Sequence, residues 1–209
     1  MGWPFFQGDW SMTPENPVAR ALLPAARWLA LLAGYLLLGL ALLVTAEILL
    51  RRFVNISLQG GDEFGGYVLA VLAAFGFSYA LLERAHTRVE ILIERVGRGP
   101  QAILNLVSAW CIALMACFMA WRSYAALSES IEFQALSGTP LMTPLWQPQL
   151  LWFAGLLFFA ITATAVALHA SWLIGHGGSR LNRFYGVKTL DEIIEEETVS
   201  SLEMKVTGQ

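Results

Sequence analysis

Four long apolar stretches dominate this chain, at Trp28–Leu50, Gly65–Leu82, Ala102–Trp121 and Gln149–Ile174. About 20 consecutive apolar residues are needed to cross a hydrocarbon core of roughly 30 Å. Each stretch fits that requirement, so the chain reads as an all-α integral membrane protein with four transmembrane helices in a bundle. Backbone polar groups in lipid must be satisfied internally, which leaves helices as the spanning element for stretches of this length. Only 14% of the residues are charged, against about a quarter in a soluble domain.

The membrane part occupies 28–175. It is preceded by a lead over 1–27 and followed by a tail over 176–209. The lead lacks the basic start, short apolar run and small-residue cleavage site of a signal peptide. The first span therefore reads as an uncleaved targeting signal. Pro4, Pro14, Pro17 and Pro24 argue against a long helix in the lead. Its Trp3, Phe5, Phe6 and Trp10 suit the membrane surface. In the tail, Thr189-Leu190-Asp191-Glu192 reads as a capping box opening a short acidic helix.

Basic residues set the orientation. With the N-terminus inside, inner segments hold ten of the thirteen Lys and Arg residues, and the outer loops hold Arg51, Arg52 and Arg122. The positive-inside rule then places both termini in the cytoplasm. The pair Arg51-Arg52 is the exception and calls for a reason of its own.

Small residues recur at helical spacing. The second span carries Gly66, Ala70, Ala73 and Ala80 near one face, with Gly76 close by. The third carries Ala109, Ala113, Ala116 and Ala120, and the fourth Ala160, Ala163, Ala167 and Ala170. Such stripes let helix backbones approach in lipid. They predict a compact bundle; the sharper reading is that one stripe docks a partner subunit. Cys111 and Cys117 lie six residues apart, about 240° around a helix, so they cannot pair and read as buried packing residues.

Charges at span centres mark function in membrane proteins. None occurs here. Glu47 lies one turn from the end of the first span and can pair with Arg51 at i+4. That favours an interfacial ion pair over a proton or cation site. His86 and His169 both fall toward the inner side, where a bis-His haem site is the alternative to consider. No Walker loop, dinucleotide turn, nucleophile elbow or Cys/His metal spacing occurs, so no enzymatic role is expected.

Two polar clusters remain. Arg51, Arg52, Asp62 and Glu63 flank the first outer loop. Inside, His86, Arg88 and Glu90 belong to a mixed-charge string. Val89, Leu92, Ile93 and Val96 in that string predict an amphipathic turn lying on the inner leaflet. These clusters read either as ordinary loop chemistry at span ends or as contacts to a larger membrane subunit.

The order of these features resembles the DctQ-type small permease subunit of TRAP transporters (tripartite ATP-independent periplasmic transporters). The matching residues are Arg52-Phe53 and Asn55, the acidic pair Asp62-Glu63, Gly76, then His86, Arg88 and Glu90. Pro144-Leu145-Trp146-Gln147-Pro148-Gln149 before the fourth span also matches. The likeness covers about 28–175. Gln59-Gly60-Gly61 replaces the aromatic-bearing approach to the acidic pair, and the lead and tail exceed the family core.

The resemblance implies a non-catalytic partner in the bacterial inner membrane that braces a large permease subunit. That subunit holds the sodium-driven transport site. A periplasmic substrate-binding protein delivers an organic acid, often a carboxylate. The resemblance implies no cofactor on this chain, with sodium on the large subunit, and no nucleic acid partner. Membrane lipid is the remaining partner. Arg51, Arg52, Asp62 and Glu63 become candidates for periplasmic partner contacts, and His86, Arg88 and Glu90 for organising the cytoplasmic side. The competing classes are a redox-complex anchor carrying haem or quinone, and a free-standing small transporter, against which the apolar span centres argue.

Overall fold

The computed structural model describes residues 16–55, 60–83 and 98–175. They form four helices, α1 (Pro17–Phe53), α2 (Gly61–Leu82), α3 (Arg98–Glu132) and α4 (Trp146–Gly175). All four are long and apolar enough to cross a membrane. Among the described residues the extended backbone amounts to an isolated bridge between Leu136 and Pro144. The amphipathic turn at Val89–Val96 and the capping box at Thr189 lie outside the described residues.

α1 begins eleven residues before the apolar stretch does, despite the prolines. The Asn16 side chain caps it, accepting hydrogen bonds from the N–H groups of Val18 (3.1 Å) and Ala19 (3.5 Å). Pro17 sits at the first helical position, where its missing N–H costs nothing. Pro24 lies inside the helix and forfeits one backbone bond there. At 37 residues, α1 is about 55 Å long. Arg51 and Arg52 occupy its last turn, where cations suit the negative helix end. Asn55 then turns the chain with φ +59°, a left-handed conformation that Asn tolerates.

Burial follows a seven-residue repeat. α1 buries Ala19, Ala26, Ala33 and Glu47, all on one heptad line that half-buried Leu40 completes. α3 buries Ala102, Ala109, Ala116, Ser123 and Ser130 on one line, with Ala113, Ala120 and Leu127 beside it. α4 answers with Ala160 and Ala167, Ala163 and Ala170, and Phe159, Val166 and Leu173. Lipid tails are as apolar as leucine, so nothing hydrophobic drives these helices together. Close van der Waals contact does so instead. Small residues at heptad spacing keep the seam in register along two long helices. The alanine stripes of the third and fourth spans are thus packing surfaces, as the compact-bundle reading expected.

The helices pack in the order α1, α2, α4, α3. α1 pairs with α2, and α3 with α4; α2 against α4 joins the two hairpins, while α1 touches α4 only briefly. The bundle is therefore an open row with α4 inside and α3 at an edge. At the α2–α4 crossing, a Cβ added to Gly155 would lie 2.7 Å from the Ala74 Cβ and 3.2 Å from the Ala74 carbonyl carbon. The Phe77 and Phe159 rings meet across the same joint, tilted by 41° with centroids 5.4 Å apart.

Both cysteines correct the sequence reading, because each is exposed on α3 rather than buried. The buried line of α3 runs through Ala109, Ala113, Ala116 and Ala120, and Cys111 and Cys117 fall off it. Cys117 still reaches the Thr164 hydroxyl at 3.6 Å.

Candidate functional site

The ends of α1 and α3 and the starts of α2 and α4 meet at one end of the row, here called the loop end. The chain entering α2 needs glycine there. Gly60 has φ +117°, which side chains rarely adopt. Leu141, from the loop joining α3 to α4, also packs directly over Gly60 where a Cβ would stand. Gly61 follows, and a Cβ there would lie 2.5 Å from Glu47 Oε2.

Glu47 is buried, and its Oε1 accepts a 2.5 Å hydrogen bond from Arg51 Nη2. This is the i, i+4 ion pair that the spacing predicted. Its other oxygen lies against the positive end of α2, a favourable place for an anion. Arg51 itself is 63% exposed, so the pair itself contributes modestly to stability. Arg52 is exposed on the same turn.

Glu63 is placed differently from its neighbour in sequence, and only 7% of it is exposed. The Tyr67 hydroxyl, one turn along α2, donates to Glu63 Oε1 at 2.7 Å. The Thr139 hydroxyl donates to Glu63 Oε2 from the α3–α4 loop. The Ser137 and Thr139 hydroxyls are 2.7 Å apart. These donors satisfy a carboxylate that burial would otherwise strand. Glu63 thus faces the protein's own loop, while Arg51 and Arg52 face outward. Asp62 lies in the first turn of α2.

The loop that supplies Thr139 has its own frame. α3 ends at Glu132, five residues before Ser137. The Ala135 N–H bonds the Ser130 carbonyl and the Leu145 N–H bonds the Ala135 carbonyl, each at 3.0 Å. The Ser137 N–H donates to the Thr143 carbonyl at 2.9 Å, and the Thr143 N–H returns to the Ser137 hydroxyl at 3.1 Å. Gln134 and Met142 both take φ +47°.

Thr139, Ser137 and Tyr67 were not singled out from the sequence. Tyr67 carried a local signal, lying at i+4 from Glu63. Thr139 lies 76 residues away, and nothing in the spacing joins it to Glu63.

At the other end, His86, Arg88 and Glu90 lie outside the described residues. His169 stacks on Trp172 with the ring planes 15° apart. Nothing among the described residues supports a haem or quinone reading. α2 also carries a face that no helix among the described residues covers. Gly66, Leu69, Ala73, Gly76 and Ala80 follow a heptad line, with Gly66, Leu69 and Ala73 exposed and the other two half-exposed. A Cβ added to Gly66 or Gly76 would meet nothing within 4 Å.

The family model described as tripartite ATP-independent periplasmic transporters, DctQ component, matches residues 40–171, more than half of the chain. No curated protein and no solved structure matches it. The matched segment runs from within α1 almost to the end of α4, so it takes in the row of helices, both arginines and the clustered hydroxyls around Glu63. The chain belongs to the DctQ family, the small membrane component of tripartite ATP-independent periplasmic transporters.

Proposed function

We propose that this chain braces the large permease subunit of a sodium-coupled, binding-protein-dependent TRAP transporter for organic acids, without binding the substrate itself. The observation that carries the bracing role is the uncovered seam on α2. Gly66, Leu69, Ala73, Gly76 and Ala80 repeat the small-residue heptad spacing that holds α3 to α4. Glycine inside a helix costs about 1 kcal/mol relative to alanine. No neighbour among the described residues uses the space at Gly66 or Gly76. A partner helix packing there uses it.

The cargo class and the sodium dependence rest on the family likeness alone. Sodium and the substrate site belong to the large subunit, and this chain carries no catalytic role. The excess of basic residues in the lead, the segment joining α2 to α3 and the tail supports cytoplasmic termini, and the family likeness supports a bacterial inner membrane. The loop end then faces the periplasm. Arg51, Arg52 and Asp62 meet partner groups there, and a partner carboxylate against the arginines accounts for their exception to the charge rule. Glu63 shapes that surface from within. His86, Arg88 and Glu90 organise the cytoplasmic side.

The test is co-purification from native membranes with the tagged chain as bait. Ala73→Leu/Gly76→Leu fills the seam without touching the hairpin contacts. The recovered large subunit should fall at least tenfold while the bait remains folded. Equal recovery with the filled seam refutes α2 as the docking helix. Recovery of haem- or flavin-bearing subunits refutes the transporter reading.

A further inference from the structure

We infer that Glu63 and Thr139 form a clasp fastening the two helix hairpins at the loop end, and that loop 133–145 is a strap that opens without unpacking either hairpin. Two observations carry this.

The strap keeps its shape through its own bonds. The Ser137–Thr143 pair, the Met142 N–H to the Thr139 carbonyl (3.1 Å) and the Leu145 N–H to the Ala135 carbonyl all lie within it. None of them involves α1 or α2. Releasing the strap from α2 therefore breaks no backbone bond.

Its attachment to α2 is made by side chains, with the Thr139 hydroxyl foremost and the Ser137 and Thr143 hydroxyls also directed at the Glu63 carboxylate. The Thr139 hydroxyl binds Glu63, and Leu141 covers Gly60. The Tyr67 bond to Glu63 stays within one helix, but the Tyr67 hydroxyl also pairs with the Ser137 hydroxyl of the strap and so adds to the fastening. Glu63 is the one charged side chain in this contact, and it is buried by the strap that supplies its hydroxyl. When the strap lifts, water replaces that hydroxyl on the carboxylate, so the released state is not left with a stranded charge.

Gln134 and Met142, flanking the clasp on either side, sit at φ +47°, held there by bonds to Ile131 and Thr139 rather than by α2, so the strap keeps this shape when it lifts. Opening exposes the start of α2, with Glu63 and the Tyr67 hydroxyl, at the end of the molecule where Arg51 and Arg52 already stand.

The test uses the full chain in lipid nanodiscs with chymotrypsin, reading by mass spectrometry the cuts after Leu136, Leu141 and Met142. Cleavage tracks the open population when opening is fast relative to cutting. Hydrogen bonds to charged groups are among the stronger ones, so Thr139→Val should speed these cuts roughly 10- to 100-fold. Glu63→Gln should speed them in the same direction. Thr139→Ser keeps the hydroxyl and should restore the parental rate. The inference is overturned if Thr139→Val cuts at the parental rate. It is equally overturned if Thr139→Ser cuts as fast as Thr139→Val, because the methyl group rather than the hydroxyl then holds the strap. Thr139 lies in the loop and outside both hairpin seams, so this variant leaves the helices folded whatever Glu63→Gln does. None of these readouts depends on a large subunit, so failure here leaves the proposed function standing.

Discussion

Gly155→Ala is the substitution that most directly interrogates the joint between the two hairpins. A Cβ at Gly155 would stand 2.7 Å from the Ala74 Cβ, and 3.2 Å from both the Ala74 carbonyl carbon and Phe75 Cδ1. Carbon atoms rest at about 3.5–4.0 Å. The helices must therefore separate locally by about 1 Å. Phe75 can rotate away, but the Ala74 backbone cannot. Overpacking of this kind costs about 1–3 kcal/mol, and alanine regains about 1 kcal/mol of helix propensity. The backbone clash puts the first figure toward its upper end, so the net loss is about 1–2 kcal/mol. For a chain of this size that lowers Tm by about 2–8 °C. Gly39→Ala is the control, because the same added methyl meets nothing within 4 Å. It should leave Tm unchanged or raise it. Ala74→Gly in the Gly155→Ala background should recover part of the loss, since neighbouring changes couple. The assay is thermal unfolding in one detergent for all four proteins. If Gly155→Ala and Gly39→Ala shift Tm alike, the crossing is not tight and the reasoning fails.

Other substitutions separate packing from assembly. Ala116→Leu, at a fully buried seam position between α3 and α4, should destabilise the isolated chain by about 1–3 kcal/mol in the same unfolding assay; Ala73→Leu on the open seam should leave it unchanged. Gly60→Ala meets both a left-handed backbone and Leu141; it should cost at least about 1 kcal/mol, read as a lower Tm. Arg51→Ala/Arg52→Ala should reduce complex assembly and uptake severalfold while lowering the chain's own stability by less than about 1 kcal/mol, because the Glu47–Arg51 pair is largely exposed on its arginine side. Unchanged assembly and uptake would count against a partner role for the pair.

The spans were legible because length and apolarity decide them without reference to the fold. The alanine stripes were legible too, but not their destinations. Ala109–Ala120 on α3 and Gly66–Ala80 on α2 look alike as patterns, yet one is buried and the other open. Which stripe finds a partner depends on the order of helices in the row, and that order is a long-range property. The helix ends were less legible. Pro17 reads as a breaker until Asn16 is seen capping it. The cysteines were misplaced because their residue type usually means burial, while the heptad line left them outside. Glu63 shows the limit most plainly: an acidic residue opening a span is visible, but the threonine that receives it is 76 residues away.

The packing order also fixes what must happen during insertion. α1 and α2 emerge first and pair at once. α3 emerges next and has no partner among them, because it packs on α4. It waits alone in lipid, with its alanine line uncovered, until the last helix is made. α4 then takes its place between two helices already in the bilayer, closing the Gly155 crossing on one side and the alanine seam on the other. A ribosome that stops before Trp146 leaves α3 without its packing partner beside a finished hairpin, its alanine line open to lipid.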